Sequence, residues 1–174
     1  VRAGELGLAD EEAELASRRQ PLRVVLDSSL QTPLWAKVVD DSAPTLLCHD
    51  KTVLAKSGFD GETVQLPGLS SDAAGLDLSA LMDVLTERHC NEILVESGPR
   101  LAGALLQAGL VDELIVYMAP ALMGNLARPL LELPLDLMAD KVQLQFTDVR
   151  KVGEDWCFTA VAAVEDKCRF PGFW

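Results

Sequence analysis

The chain has 174 residues, 49% of them hydrophobic, which is enough for a packed core and argues against a disordered tail. Its formal net charge of −12 excludes a basic face for nucleic acid or an anionic membrane surface. It leaves room for a nucleotide cofactor, since a few local donors can hold phosphates on an acidic protein. No apolar run approaches the roughly 20 residues of a transmembrane helix.

Residues 1–20 are polar and carry the acidic run Asp10-Glu11-Glu12-Ala13-Glu14, the pattern of a solvated loop or frayed helix. Val1-Arg2-Ala3-Gly4-Glu5 has neither an initiator Met nor a signal-peptide pattern and reads as a cut end. Leu22 to Leu26 is a β-branched apolar run closing on Asp27-Ser28-Ser29, a strand leading into a polar turn. Thr45 to Cys48 and Thr63 to Leu66 are two more short strands, with Gly58, Gly61, Pro67, Gly68 and Gly75 punctuating the loops. Asp77 or Ser79 can cap a helix running to about His89, with Leu78, Leu81, Met82 and Leu85 on one face. His89, in the last turn, suits the negative end of the helix dipole.

Ile93 to Val95 is a short apolar run ending in the carboxylate of Glu96; a turn, Ser97-Gly98-Pro99, follows, and then a small-residue helix that stops at Gly109. Strand, glycine turn and helix start in that order make a cradle for phosphate, because the first turn presents unpaired amides and the positive dipole end. Pro99 suits the first helical position, and Gly98 would let a ligand reach the backbone. A purely structural turn fits the same residues. Val111 to Ala119 reads as a continuous apolar strand, 120–140 as loop, and 142–149 with 156–164 as a hairpin turning at Gly153-Glu154-Asp155.

Strands alternating with helices predict an α/β domain: a mainly parallel twisted sheet flanked by helices, with an antiparallel hairpin at its C-terminal edge. The cysteines, Cys48, Cys90, Cys157 and Cys168, form no C-x-x-C pair and lie at no metal-ligand spacing to His49 or His89, so reduced, inert thiols in the cytoplasm and no bound metal are expected.

Three segments together resemble one family: Pro21 to Ser28 (PLRVVLDS), Leu94 to Leu106 (LVESGPRLAGALL), and Ala108 to Tyr117 (AGLVDELIVY) running on to Ala119-Pro120 and Gly124. The chain is similar to the reductase domain of the bacterial bifunctional riboflavin biosynthesis deaminase–reductase over most of residues 1–163. The resemblance implies a dihydrofolate-reductase-like fold and an NADPH-dependent reduction of 5-amino-6-(5-phosphoribosylamino)uracil, by hydride transfer to C1′ of the ribose. It implies NADP contacts at Gly98, Pro99, Leu101, Ala102, Gly103 and Ala104, and another at Ser28. Arg100 lies outside the family's fixed pattern, but its place in the first helical turn could help bind phosphate. Substrate contacts fall on Glu96 and on Arg2, whose guanidinium suits a phosphate. Ser28 also reads as a turn former and Glu96 as a charge on the helix dipole.

Two departures stand out: Ser97 replaces a frequent Gly or Ala, and Gln31 a frequent Arg, which would weaken one phosphate contact. The zinc deaminase signature H-x-E…P-C-x-x-C is not in the sequence, so zinc is expected only in a deaminase domain outside this chain. The resemblance begins at Val1, and so residues 1–164 are expected to be a partial reductase domain, with 165–174 a tail and the chain alone inactive. A homodimer is the implied assembly. A related diaminopyrimidine or folate reductase, and a non-catalytic NADP-binding or dimerisation domain, are the alternatives.

Overall fold

A computed structural model describes residue 14 and residues 20–54, 58–68 and 75–162. Arg2, the charged N-terminal run apart from Glu14, and the aromatic segment Cys168–Trp174 lie outside the described residues. Two compact units divide the chain, Val1–His89 and Cys90–Trp174.

The first unit is built on a parallel sheet of order β1-β2-β3, formed by Arg23–Leu26 (β1), Thr45–Asp50 (β2) and Glu62–Leu66 (β3). β2 is central, and its residues from Thr45 to His49 are all buried, the pattern of a strand covered on both faces. Helix α1, Leu78–Glu87, follows β3. Asp77 caps it, accepting from the amides of Ser79 (2.9 Å) and Ala80 (3.0 Å), so of the two capping candidates the structure selects Asp77. Leu78, Leu81 and Leu85 are its buried face and join Leu46, Leu47 and Leu66 among the buried apolar side chains.

Both ends of α1 are tied to β3. At the start, the Asp77 amide donates to the Pro67 carbonyl at 2.8 Å; at the end, Arg88 pairs with Glu62. A ten-residue helix and a five-residue strand are each about 15 Å long, so the helix returns alongside β3 in the opposite direction. His89 falls just past the helix rather than in its last turn. It is exposed, has φ +57° and donates its amide to the Thr86 carbonyl at 2.9 Å, the left-handed residue that ends a helix.

At the opposite, amino edge of the sheet, Arg23 clamps the β1–β2 connection. Its guanidinium donates to the Lys37 carbonyl (3.1 Å) and to the Asp40 carboxylate (2.8 Å), beside a 3₁₀ turn at Lys37–Val39. Hydrogen bonds from Ser42 and Arg23 hold the Asp40 carboxyl down at about 2.

The second unit carries helix α2, Pro99–Gln107, and an antiparallel sheet of order β4-β6-β5: Leu114–Met118 (β4), Leu144–Val152 (β5) and Asp155–Ala162 (β6). β5 and β6 form the expected hairpin, closed by Val152 opposite Asp155. Gly153 supplies the positive φ, +61°, that the first position of a two-residue type II′ turn needs. A bulge between Phe146 and Asp148 lets the Thr147 hydroxyl donate to the Thr159 carbonyl at 3.3 Å.

Two expectations are corrected in this unit. The run Ile93–Glu96 is not a strand; no ladder pairs with it among the described residues, and Leu94 is 81% exposed. An apolar run becomes a strand only where a neighbour takes its backbone hydrogen bonds, which local sequence does not report. β4 is also shorter than the apolar run Val111–Ala119, and it is an edge strand whose Ile115, Tyr117 and Met118 are exposed, not a buried one. The α/β class and the terminal hairpin are as expected; the hairpin recruits β4, so among the described residues the parallel ladders belong to the first unit.

α2 docks on the following loop at Gly103. A Cβ there would fall on the Glu132 backbone carbonyl, and the Glu132 amide donates to the Pro99 carbonyl at 3.0 Å. Helix propensity favours Ala over Gly by up to about 1 kcal/mol, whereas overpacking against backbone costs about 1–3 kcal/mol. Gly103→Ala is therefore expected to lower stability in urea denaturation, and an unchanged or raised midpoint would contradict this packing.

Candidate functional site

The carboxyl edge of the parallel sheet is the first candidate region, since open α/β sheets bind ligands beyond the carboxyl ends of their strands. The β1–β2 register sets Leu26 beside Cys48. Hydrogen bonding continues past β1: the Asp27 amide donates to the Cys48 carbonyl (2.9 Å), and the Asp50 amide to the Ser28 carbonyl (3.1 Å). The Asp27 carboxylate closes the next turn by accepting from the amides of Gln31 (2.8 Å) and Thr32 (2.5 Å). Buried Leu30 takes φ +55° in that turn. Ser28 is thus half-buried on a braced turn, and its hydroxyl has no hydrogen-bond partner among the described residues. Gln31 turns its amide back to the Ser29 carbonyl at 3.1 Å.

On the β2 side of this edge, the Asp50 carboxylate accepts from the Thr52 amide (2.7 Å) and hydroxyl (2.6 Å), which lower its pKa. His49 is fully buried, with Nδ1 3.0 Å from the Asp50 carbonyl and Nε2 unpaired among the described residues. With a proton on Nδ1, Nε2 is a bare acceptor in an apolar setting. The first unit also holds a cavity of about 350 Å³ at the other end of the strands, lined by Asp40, Asp41, Asp60, Thr45 and Phe59 among others. Its three carboxylates would repel a phosphate, so the cavity does not compete with the carboxyl edge for one.

The second candidate region is the start of α2. Gly98 is its N-cap, at φ −75° and ψ 170°, with no side-chain cap, and Pro99 is the first helical residue. The first bond of the helix runs from the Ala102 amide to the Gly98 carbonyl at 3.1 Å. The amides of Arg100 and Leu101 precede it and are the ones available to a ligand, whereas those of Ala102, Gly103 and Ala104 belong to the helix ladder. This narrows which of the predicted backbone contacts can donate; Pro99 has no N–H to give.

Gly98 is open in front: a Cβ there would meet nothing within 4 Å, and its dihedrals suit any residue. Neither backbone nor packing requires glycine at this position, unlike Gly103. Arg100 reaches Glu132 at 3.8 Å with its side chain 79% exposed, a contact worth little energetically. Glu96 is exposed just before the turn, and the Ser97 hydroxyl donates to the Gly98 carbonyl at 3.3 Å. Ser28 lies in the first unit and residues 96–104 in the second; Arg2 lies outside the described residues. Among the described residues no group of three or more His, Cys, Asp or Glu could hold a metal ion, and no helix is long and apolar enough to cross a membrane.

Parallel strands in the first unit, and a glycine-led helix start beside an antiparallel sheet in the second, make this an α/β protein. The RibD C-terminal domain family matches residues 1–158, and the chain belongs to that family. It is 43% identical over 146 residues to the riboflavin biosynthesis protein RibD of Escherichia coli K12, covering 83% of this chain and 39% of that protein. It is 28% identical over 167 residues to the 2,5-diamino-6-ribosylamino-4(3H)-pyrimidinone 5′-phosphate reductase of Archaeoglobus fulgidus, covering 92% of this chain and 74% of that one. In fold it is similar to form 2 of Acinetobacter baumannii RibD, with a TM-score of 0.73 at 24% identity over 91% of this chain and 41% of that one. The chain thus spans about two fifths of the length of the RibD relative it matches in E. coli.

Cys48, within β2, is fully buried, and burial pushes its thiol up to about 11 from 9.0. A raised folded-state pKa means that the unfolded chain loses its proton first, so this residue makes stability fall as pH rises from about 9 towards about 11. Urea unfolding across that window is expected to show the slope and to lose part of it in Cys48→Ala. Peptide-resolved alkylation at pH 8 should label half-buried Cys90 well before Cys48 or buried Cys157; equal rates would contradict the burial.

Proposed function

We propose that this chain is the reductase part of a riboflavin biosynthesis enzyme, using NADPH to reduce the ribose of 5-amino-6-(5-phosphoribosylamino)uracil to its ribityl form. Family membership supports the reductase reading over a folate reductase or a non-catalytic module: the RibD relatives and the archaeal pyrimidinone phosphate reductase are named for this pathway and this kind of substrate. The observation that carries the cofactor assignment is Gly98, a glycine at a helix start that neither its dihedrals nor its neighbours demand. Open space before free amides is what a phosphate group needs to reach a backbone.

The residues present fit a dinucleotide. The amides of Arg100 and Leu101 and the positive end of α2 would hold its phosphates, Gly98 and Pro99 would leave room for them, and Arg100 could swing from Glu132 to add charge. Gly103 serves the packing of α2 on Glu132 and is not needed for the phosphate contact. We also propose Ser28 as an NADPH contact. NADPH when bound supplies the hydride. The chain's own contribution is orientation: Glu96, exposed immediately before the phosphate turn, would accept hydrogen bonds from the substrate, and Arg2 would take the substrate's phosphate. A cytoplasmic homodimer is the form we propose for the enzyme.

Two variants test this in the intact protein. Gly98→Thr keeps a good N-cap and unstrained dihedrals, so its melting temperature should stay close to wild type while NADPH affinity falls about tenfold or more, as expected for loss of charge-assisted contacts. Unchanged NADPH titration would remove α2 from the cofactor site. Glu96→Gln should reduce turnover with NADPH binding preserved; wild-type turnover would sink the substrate role of Glu96.

A further inference from the structure

One face of the β4-β6-β5 sheet is apolar and exposed. Side chains directly opposite one another in paired strands point to the same face, as do alternate residues along each strand. Met118 and Trp156 are opposite one another, as are Val116 and Phe158. On β5, Phe146 lies opposite Ala160 and Val149 opposite Phe158, so the bulge between them keeps both on the face that Phe158 shares. Phe146 and Phe158 meet there with ring centroids 5.7 Å apart. Phe146 is 60% exposed, Met118 50%, Val149 47% and Trp156 44%, whereas Cys157 and Thr159 on the other face are buried. Side chains of roughly 150–250 Å² exposed to that extent leave an apolar patch on the order of 400 Å². A specific protein–protein interface takes about 800 Å² from each partner. The patch by itself is therefore too small for a second copy of the chain and the right size for a short segment.

The same chain carries such a segment close by. The backbone leaves β6 at Ala162, opposite Leu144. Along β6 the patch runs from Ala160 back to Trp156, roughly 7–20 Å from that point at about 3.3 Å per residue. Beyond the polar run Glu165-Asp166-Lys167, residues 168–174 hold Phe170, Phe173 and Trp174 around the turn-forming pair Pro171-Gly172. Eight residues of chain span up to about 27 Å, so Phe170 and the residues after it can return over the patch. A segment tethered this closely meets the face at an effective concentration on the order of millimolar, far above that of a free partner. We propose that residues 168–174 fold back over this face, with Phe170, Phe173 and Trp174 covering Phe146, Val149, Trp156 and Met118. The match to the family ends at residue 158, so the covering segment lies beyond it.

The test is alkylation of a reporter thiol in the intact protein. Val149→Cys puts a thiol in the middle of the patch, opposite Phe158. Its peptide-resolved labelling rate at pH 8 is compared in the full chain and after residues 168–174 are replaced by a Gly-Ser stretch of equal length. With the segment present, labelling at position 149 should be about tenfold slower or more, the protection given by a contact closed about nine-tenths of the time. Phe173→Ser with Trp174→Ser should recover most of the faster rate, and carries the test if the replacement does not fold by circular dichroism. Equally fast labelling in every form means that the face is open, and equally slow labelling means that something else covers it; either result overturns the proposal. Labelling in the full chain that quickens on dilution, in step with a fall in mass by light scattering, assigns the face to a second copy and overturns it as well.

Discussion

The parallel pairing of β1 with β2 is the constraint on which the first unit depends. It places Thr45 to His49 at the centre of the sheet, where a run of consecutive buried residues is stable only if both faces are covered. It also continues beyond the last ladder residue of β1, so that Asp27 and Ser28 are held by Cys48 and Asp50. A slip of one residue would turn every side chain of β1 to the other face and carry Ser28 away from Asp50. Arg23 guards that register from the opposite end by gathering the β1–β2 connection onto its guanidinium, with the Asp40 carboxylate ionised down to about 2 to receive it.

The carboxyl edge shows how carboxylates are used locally in a chain of net charge −12. Net charge governs long-range approach, but affinity is decided within a few ångströms, where hydrogen-bond direction outweighs total count. Asp27 and Asp50 are both at this edge, yet each spends its oxygens on nearby amides and hydroxyls of its own turn. Their charges are thereby partly offset by local dipoles, and they close the turns that follow β1 and β2. The carboxylates act as braces for their own turns.

What the sequence made legible follows the range of the interaction involved. Helix starts were readable because caps are local: Asp77 before Leu78, Gly98-Pro99 before Arg100. The β5–β6 hairpin was readable because two alternating strands and a glycine turn lie within one short segment. Ile93–Glu96 misled because an apolar run states only that burial would be favourable, not which neighbour provides it. β4 misled similarly, since the same Leu114–Met118 pattern suits a central strand or an edge. Nothing local joins Ser28 to Asp50; only the register that brings 26 beside 48 does so.

The two glycines of α2 sharpen this for the site. By sequence, Gly98 and Gly103 belong to one small-residue motif and invite one explanation. Their surroundings separate them: Gly103 makes room for the Glu132 backbone, while Gly98 makes room for nothing among the described residues. A residue needed for packing is explained by the fold, and its glycine carries no information about a ligand. A residue that the fold leaves unexplained is where a ligand's requirements can be read, because glycine forgoes the stronger capping of Ser, Asp or Asn at that position. The argument for a phosphate therefore rests on Gly98 and the two amides beyond it, and is independent of why the rest of the helix is built from small side chains.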